Sequence, residues 1–216
     1  MLDLAPTTDL LAGLVAGVRD DQLSASTPCA EMTLADLLAH IDGLTLAFTA
    51  AAAKTPAEDA GPPETRPPQA GAPEDPGPPG NSSSAAESSQ LDPGWRIRIP
   101  QRLTALAAAW REDSAWTGMS RAGGVDLPGE VAGVVALNEV LLHGWDVAAA
   151  SGQPFTADPV LAEAALGFVR ATAEESPEGS PGLFGPPVPL PAQAPLVDRL
   201  LALSGRDPAW TPPQST

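Results

Sequence analysis

Between Pro56 and Gly80 the chain carries nine prolines and four glycines, and Asn81 to Gln90 adds five serines. Proline lacks the N–H that a helix or sheet ladder needs, and a Gly/Ser/Pro composition brings too little apolar surface to bury. The stretch can therefore build neither ladder nor core. Residues 55 to 92 read as a long, mostly disordered loop, a solvated insertion rather than a lid. The core of this 216-residue chain must come from the segments on either side.

Those segments are rich in alanine and leucine, with no tyrosine and only five tryptophans and four phenylalanines. Such a composition favours helices, because strands draw on β-branched and aromatic residues. A first helix is expected from about Thr8 to Leu23, where Leu10, Leu11, Leu14, Val15 and Val18 recur at three- and four-residue spacings. Ser26-Thr27-Pro28-Cys29 interrupts it. Thr33, with Asp36 three residues on, then reads as an N-cap opening a second helix to about Lys54. A third starts near Pro93 and Trp95 and turns Ile99, Leu103, Leu106 and Trp110 inward, with Pro100 either kinking it or marking its true first turn. After a Gly123-Gly124 turn, Pro128 opens a fourth, apolar nearly all round to Ala150, as suits a helix buried by its neighbours.

The expected fold is all-α: a four-helix bundle over 1–151, its axes nearly antiparallel, with a C-terminal helical extension over 152–216 packed on it. The extension holds an amphipathic helix from about Pro159 to Ala173 and a short one around Pro195 to Ser204.

The 27 acidic and 11 basic residues leave a charge of −16, which repels phosphate backbones and anionic membrane surfaces and argues against nucleic acid and membrane as partners. Met1 to Pro6 lacks a basic, apolar signal region, and no later run is read as reaching the roughly 18 apolar residues of a membrane span, so a cytoplasmic location is expected. Monomer and homodimer both remain open. Cys29 is the one cysteine and reads as a small residue near a helix start.

The two histidines of the chain, His40 and His143, each fall in the middle of an apolar helix. His40 shares the inward stripe of Leu37 and Leu44. His143 stands four residues after Glu139, which puts both side chains on one helix face. A carboxylate buried without a partner costs several kcal/mol, and the usual remedies are a shifted pKa, a cation or a metal. Two imidazoles and a carboxylate suit zinc with an open position for water or substrate, and suit nickel, iron or manganese equally in donor type. The same residues are also satisfied by an ordinary core histidine bonded to a carbonyl, or by a plain Glu–His ion pair. Asp146 either orients the His143 ring, caps the helix end or is solvated.

Thr27-Pro28-Cys29 followed by Leu37-Leu38-Ala39-His40, then Asn138-Glu139-Val140-Leu141-Leu142-His143-Gly144-Trp145-Asp146, and finally Leu203-Ser204-Gly205-Arg206-Asp207-Pro208-Ala209-Trp210 resemble a known family. It is that of the actinobacterial metal-binding proteins related to mycothiol-dependent maleylpyruvate isomerase, within the DinB-like superfamily. The resemblance covers most of the chain outside 55–92 and implies a DinB-like four-helix bundle with His40, Glu139 and His143 as metal ligands. The chain departs from the pattern at Met32, where many relatives carry tryptophan, and in its Pro-rich insertion.

The resemblance further implies mycothiol, or a similar low-molecular-weight thiol, as the partner of a divalent metal, zinc first. The thiol would add to an electrophilic substrate, giving a metal-dependent isomerase or S-transferase. Arg96, Arg98 and Arg102 are the candidates to meet an anionic group of thiol or substrate, against a plain role on the solvent-facing helix surface. The alternative is a non-catalytic metal-binding or stress-related DinB-like protein.

Overall fold

The computed structural model describes residues 1–29, 32–55, 91–180, 182–191 and 193–213. The Pro/Gly/Ser-rich stretch expected to be a disordered loop thus lies, over 56–90, outside the described residues. Six α-helices account for most of the described chain: α1 (Ala5–Gly17), α2 (Leu34–Ala52), α3 (Trp95–Ala109), α4 (Gly129–Ser151), α5 (Pro159–Glu175) and α6 (Leu196–Leu203). A hairpin, β1 (Met119–Ala122) and β2 (Val125–Pro128), leads into α4.

Local chemistry explains most boundaries. Thr33 caps α2 reciprocally: its hydroxyl accepts from Asp36 N–H at 3.2 Å, and Asp36 Oδ2 accepts from Thr33 N–H at 3.1 Å. Asp158 Oδ1 accepts from the N–H groups of Val160 and Leu161 at 2.9 and 3.0 Å, and Pro159 supplies a first-turn residue with no N–H to satisfy. Gly152, at φ 70°, ends α4 in the left-handed region. Helix α3 runs on through Pro100, five residues past its start, so that proline does not mark the first turn.

Two expectations are corrected here. The first helix begins at Ala5, where Asp3 Oδ1 accepts its N–H at 3.0 Å, and stops at Gly17; Asp20–Gln22 forms only a 3-10 turn. The stop is a tertiary effect, because Gln153 Nε2 donates to Leu14 O at 2.9 Å, and a Cβ on Gly17 would collide with the Gln153 amide. The hairpin was unforeseen beyond its turn. Gly123 and Gly124, at φ 56° and 79°, make a two-residue turn with both φ positive, the type whose twist suits paired strands.

Helices α1 and α2 each pack against both α3 and α4, which orders the bundle α1–α3–α2–α4 around its core. Leu11, Leu37, Leu38, Ile41, Ile99, Leu103, Leu106, Leu137 and Leu141 are completely buried in it. Close approach at the start of α4 depends on glycine: a Cβ on Gly129 would come within 2.6 Å of Ala115 O, and one on Gly133 within 2.5 Å of the Trp116 ring. Helix α5 packs on α4 and α6 on α5, with Leu161, Ala165, Leu166 and Val169 continuing the same core. Contrary to the reading of the sequence, α2 and α4 are long and apolar enough by length and composition to cross a membrane. In this fold α4 is instead covered by its neighbours along most of its length, with Asp36, His40 and Asp42 interrupting α2.

Candidate metal centre

The two central helices bring the site together. On α4, Glu139, His143 and Asp146 follow at i, i+4 and i+7, which keeps all three within an arc of about 60° on one helix face. On α2, His40 reaches across to them. His143 Nε2 lies 3.3 Å from Glu139 Oε2, and His40 Nε2 lies 3.7 Å from the same oxygen. The two imidazoles meet edge to face, their centroids 4.8 Å apart. The donor atoms of His40, Glu139 and His143 all lie within 4.8 Å of one another.

Exposure is graded across the cluster. The His40 side chain is 40% exposed, Glu139 17%, His143 9% and Asp146 0%, so one flank meets solvent and the other is sealed. At the sealed flank, Asp146 Oδ2 accepts from His143 Nδ1 at 3.0 Å. Both Asp146 oxygens also accept from Arg206, Oδ1 from Nε at 2.9 Å and Oδ2 from Nη2 at 2.8 Å. With Nδ1–H committed to Asp146, the Nε2 of His143 is the nitrogen turned toward Glu139.

The charges follow from these contacts. Burial pushes the Glu139 carboxyl upward, but His143 and His40 outweigh it and hold the group down at about 2, so it is a carboxylate. Burial likewise pushes the His143 imidazole downward; Asp146 and Glu139 outweigh that and raise it to about 8. Asp146 is raised by burial yet lies below its ordinary value because of His143 and Arg206.

A second donor group, Cys29, His143 and Asp146, also lies within 4.8 Å. Its chemistry suits a cation poorly. Both Asp146 oxygens are already engaged by a guanidinium, and burial, with Asp146 and Glu139 nearby, raises the Cys29 thiol and keeps it protonated. Among the described residues, Glu139 is ion-paired with His40 and His143 and with no arginine or lysine. Metal–donor bonds of roughly 2.0–2.2 Å hold neighbouring donors roughly 3.0–3.5 Å apart. The 3.3 Å pair meets that spacing as it stands, and the 3.7 Å pair needs only a few tenths of an ångström of closure. The residues present fit a divalent ion.

The three arginines proposed from sequence stand elsewhere. Arg98 and Arg102 reach Asp42 of α2 at 2.8 and 2.7 Å, and Asp42 follows His40 by two residues, about 200° around the helix. Arg96 donates to Val18 O and to Asp20, both at 2.6 Å, and stacks on Trp95. All three tie α3 to its neighbours, and none hydrogen-bonds to the histidine–glutamate cluster. The arginine that does reach the site is Arg206, present in the sequence only within a segment of family resemblance. Cys29 does precede a helix start, as read, but its sulfur also borders the sealed flank.

Residues 4–148 match the family model described as the mycothiol maleylpyruvate isomerase N-terminal domain. The chain belongs to this family. Its helical bundle is DinB-like, and the match runs from α1 to the last turn of α4, so α5, α6 and Arg206 lie beyond it. The chain is also similar to two uncharacterized proteins of Mycobacterium tuberculosis, from strains CDC 1551 / Oshkosh and ATCC 25618 / H37Rv. It is 32% identical to each over 205 residues, 92% of either chain. No solved structure matches it.

Proposed function

We propose that this protein holds one divalent metal ion, zinc first among candidates, through His40, Glu139 and His143, and acts as a thiol-dependent isomerase or S-transferase. The thiol is mycothiol or a similar low-molecular-weight thiol. The observation that carries the reading is the convergence of three donors on one ionised carboxylate, with the innermost imidazole oriented from behind by Asp146. Membership of a mycothiol-related family supports the choice of thiol.

A divalent ion in this set supplies Lewis acidity, which lowers the pKa of a thiol brought into an open position. Glu139 contributes the negative charge, and Asp146 keeps the Nδ1 proton of His143 away from the cluster so that Nε2 can donate its lone pair. The solvent-exposed flank at His40 is where thiol and electrophile enter. The thiolate sulfur would add to the electrophilic carbon of an unsaturated acid as the C=C π bond breaks, its electron pair passing to the conjugated carbonyl as an enolate. Protonation of that enolate by water and release of the adduct is S-transfer; rotation about the former double bond, return of the electron pair to re-form C=C and expulsion of the thiolate is cis–trans isomerisation.

Elemental analysis of the tag-free protein, with His40→Ala alongside, tests the site. Near one equivalent of zinc, nickel, iron or manganese, absent from the variant, is the expected result. Absence of metal even after reconstitution sinks the proposal. The loaded protein is then given mycothiol and unsaturated acids; metal without thiol consumption would favour the non-catalytic alternative.

A further inference from the structure

Arg206 follows α6, outside the residues that match the family model, yet it forms the back wall of the centre. Its two bonds to Asp146 are a side-on fork, which fixes both the position and the plane of that carboxylate. Asp146 is fully buried, so no water substitutes for either bond. The same Oδ2 holds His143 Nδ1, so the ring cannot turn unless the carboxylate moves.

Arg206 is itself braced. Its N–H donates to Leu201 O at 2.9 Å, and its Nη1 to Ser204 Oγ at 3.4 Å. Gly205, at φ 86°, backs onto Gly185 so tightly that a Cβ would stand 2.7 Å from Gly185 Cα. A left-handed turn pressed against another strand of backbone aims this arginine.

We propose that Arg206 is a positioning residue through which the C-terminal segment completes the metal centre: it clamps Asp146, and Asp146 presents His143 Nε2 to the ligand set. The inference rests on the metal reading above. It favours a guanidinium over other cations, because the planar fork fixes the plane of the carboxylate and a lysine ammonium, a point charge on a flexible stem, does not.

Zinc affinity of the full chain, by competition with a chromophoric chelator, tests it in wild type, Arg206→Gln, Arg206→Lys, Asp146→Asn and the double variant Asp146→Asn/Arg206→Gln. Outer residues that orient a ligand typically matter about 10- to 100-fold. Arg206→Gln is expected to weaken zinc binding by about that factor, and Arg206→Lys to recover part of the loss. The double variant should bind no more weakly than Asp146→Asn alone, since both residues act on one ring. In the metal-free protein at alkaline pH, where the imidazole is neutral, ¹⁵N shifts of His143 should change from one fixed tautomer to a mixture when Arg206 is replaced. Should Arg206→Gln leave Asp146 charged and the chain unfolded, the double variant, with no buried charge left unpaired, carries the affinity and tautomer measurements. Wild-type affinity and an unchanged His143 tautomer in the folded variants would overturn the role of Arg206 while leaving the metal site standing. A wild-type protein that binds no zinc overturns the metal reading itself, and the inference with it.

Discussion

Two acidic side chains in this bundle each sit between two basic partners, and the partners make them different devices. Asp42 of α2 meets Arg98 and Arg102 of α3 at 2.8 and 2.7 Å. Glu139 of α4 meets His143 and His40 at 3.3 and 3.7 Å. Arginine is always protonated and offers no lone pair, so the Asp42 cluster can only be an ion-paired brace between helices. Imidazole releases its proton near neutrality and then offers a nitrogen donor, so the Glu139 cluster can exchange a proton for a metal ion. The contacts at the brace are also the shorter ones.

The comparison breaks most decisively if Glu139→Gln keeps its metal. Loss of the one carboxylate should lower zinc affinity by more than the roughly 100-fold that an outer residue commands, read as metal retained after dialysis. Asp42→Ala should do the reverse. Breaking a buried pair costs up to about 3–5 kcal/mol, and the partial exposure of Arg98 and Arg102 reduces the expectation to about 1–3 kcal/mol in urea unfolding, with metal content unchanged. Metal loss in that variant would show that the two clusters are not separate.

A smaller effect sharpens the contrast through pH. The His143 imidazole must lose its proton to ligate, and in the metal-free protein it holds that proton up to about 8. Zinc affinity should therefore rise with pH, by up to about tenfold per unit, and level off above 8. Stability of the metal-free protein runs the opposite way. The raised His143 contributes fully below its ordinary value of 6.5, and that contribution is lost as pH climbs through 8. The lowered Glu139 contributes above its ordinary 4.5, and its share is lost as pH falls toward 2. Metal-free stability should thus peak between about 4.5 and 6.5, measured by thermal unfolding in chelator. The smallest expected change is Arg96→Ala: its partner Asp20 is 86% exposed, and the loss should stay within about 1 kcal/mol with no effect on metal.

How far the site could be read beforehand depended on sequence distance. Glu139 and His143 share a helix face by spacing alone, and α4, apolar all round, marked them as buried. Thr33 and Asp36 announced the start of α2 as a capping box. The hairpin was hidden because strands of four residues, mostly exposed on β2, carry almost no periodic signal. The partners of the arginines were hidden for a related reason. Arg96, Arg98 and Arg102 resemble one another in sequence, and only the positions of Asp20 and Asp42 on neighbouring elements showed that their charges were already engaged.

Sequence by itself determined that this chain is helical and that an acid and a histidine share one face of a buried helix. These are local properties, set by composition and by a period of 3.6 residues. Sequence and resemblance already set His40 beside that pair; tertiary structure alone decided that Asp146 points inward rather than capping the helix, and that Arg206, sixty residues further along, holds it there. Such contacts arise only when separate helices pack, because packing aligns faces whose relation no periodicity within a single helix records.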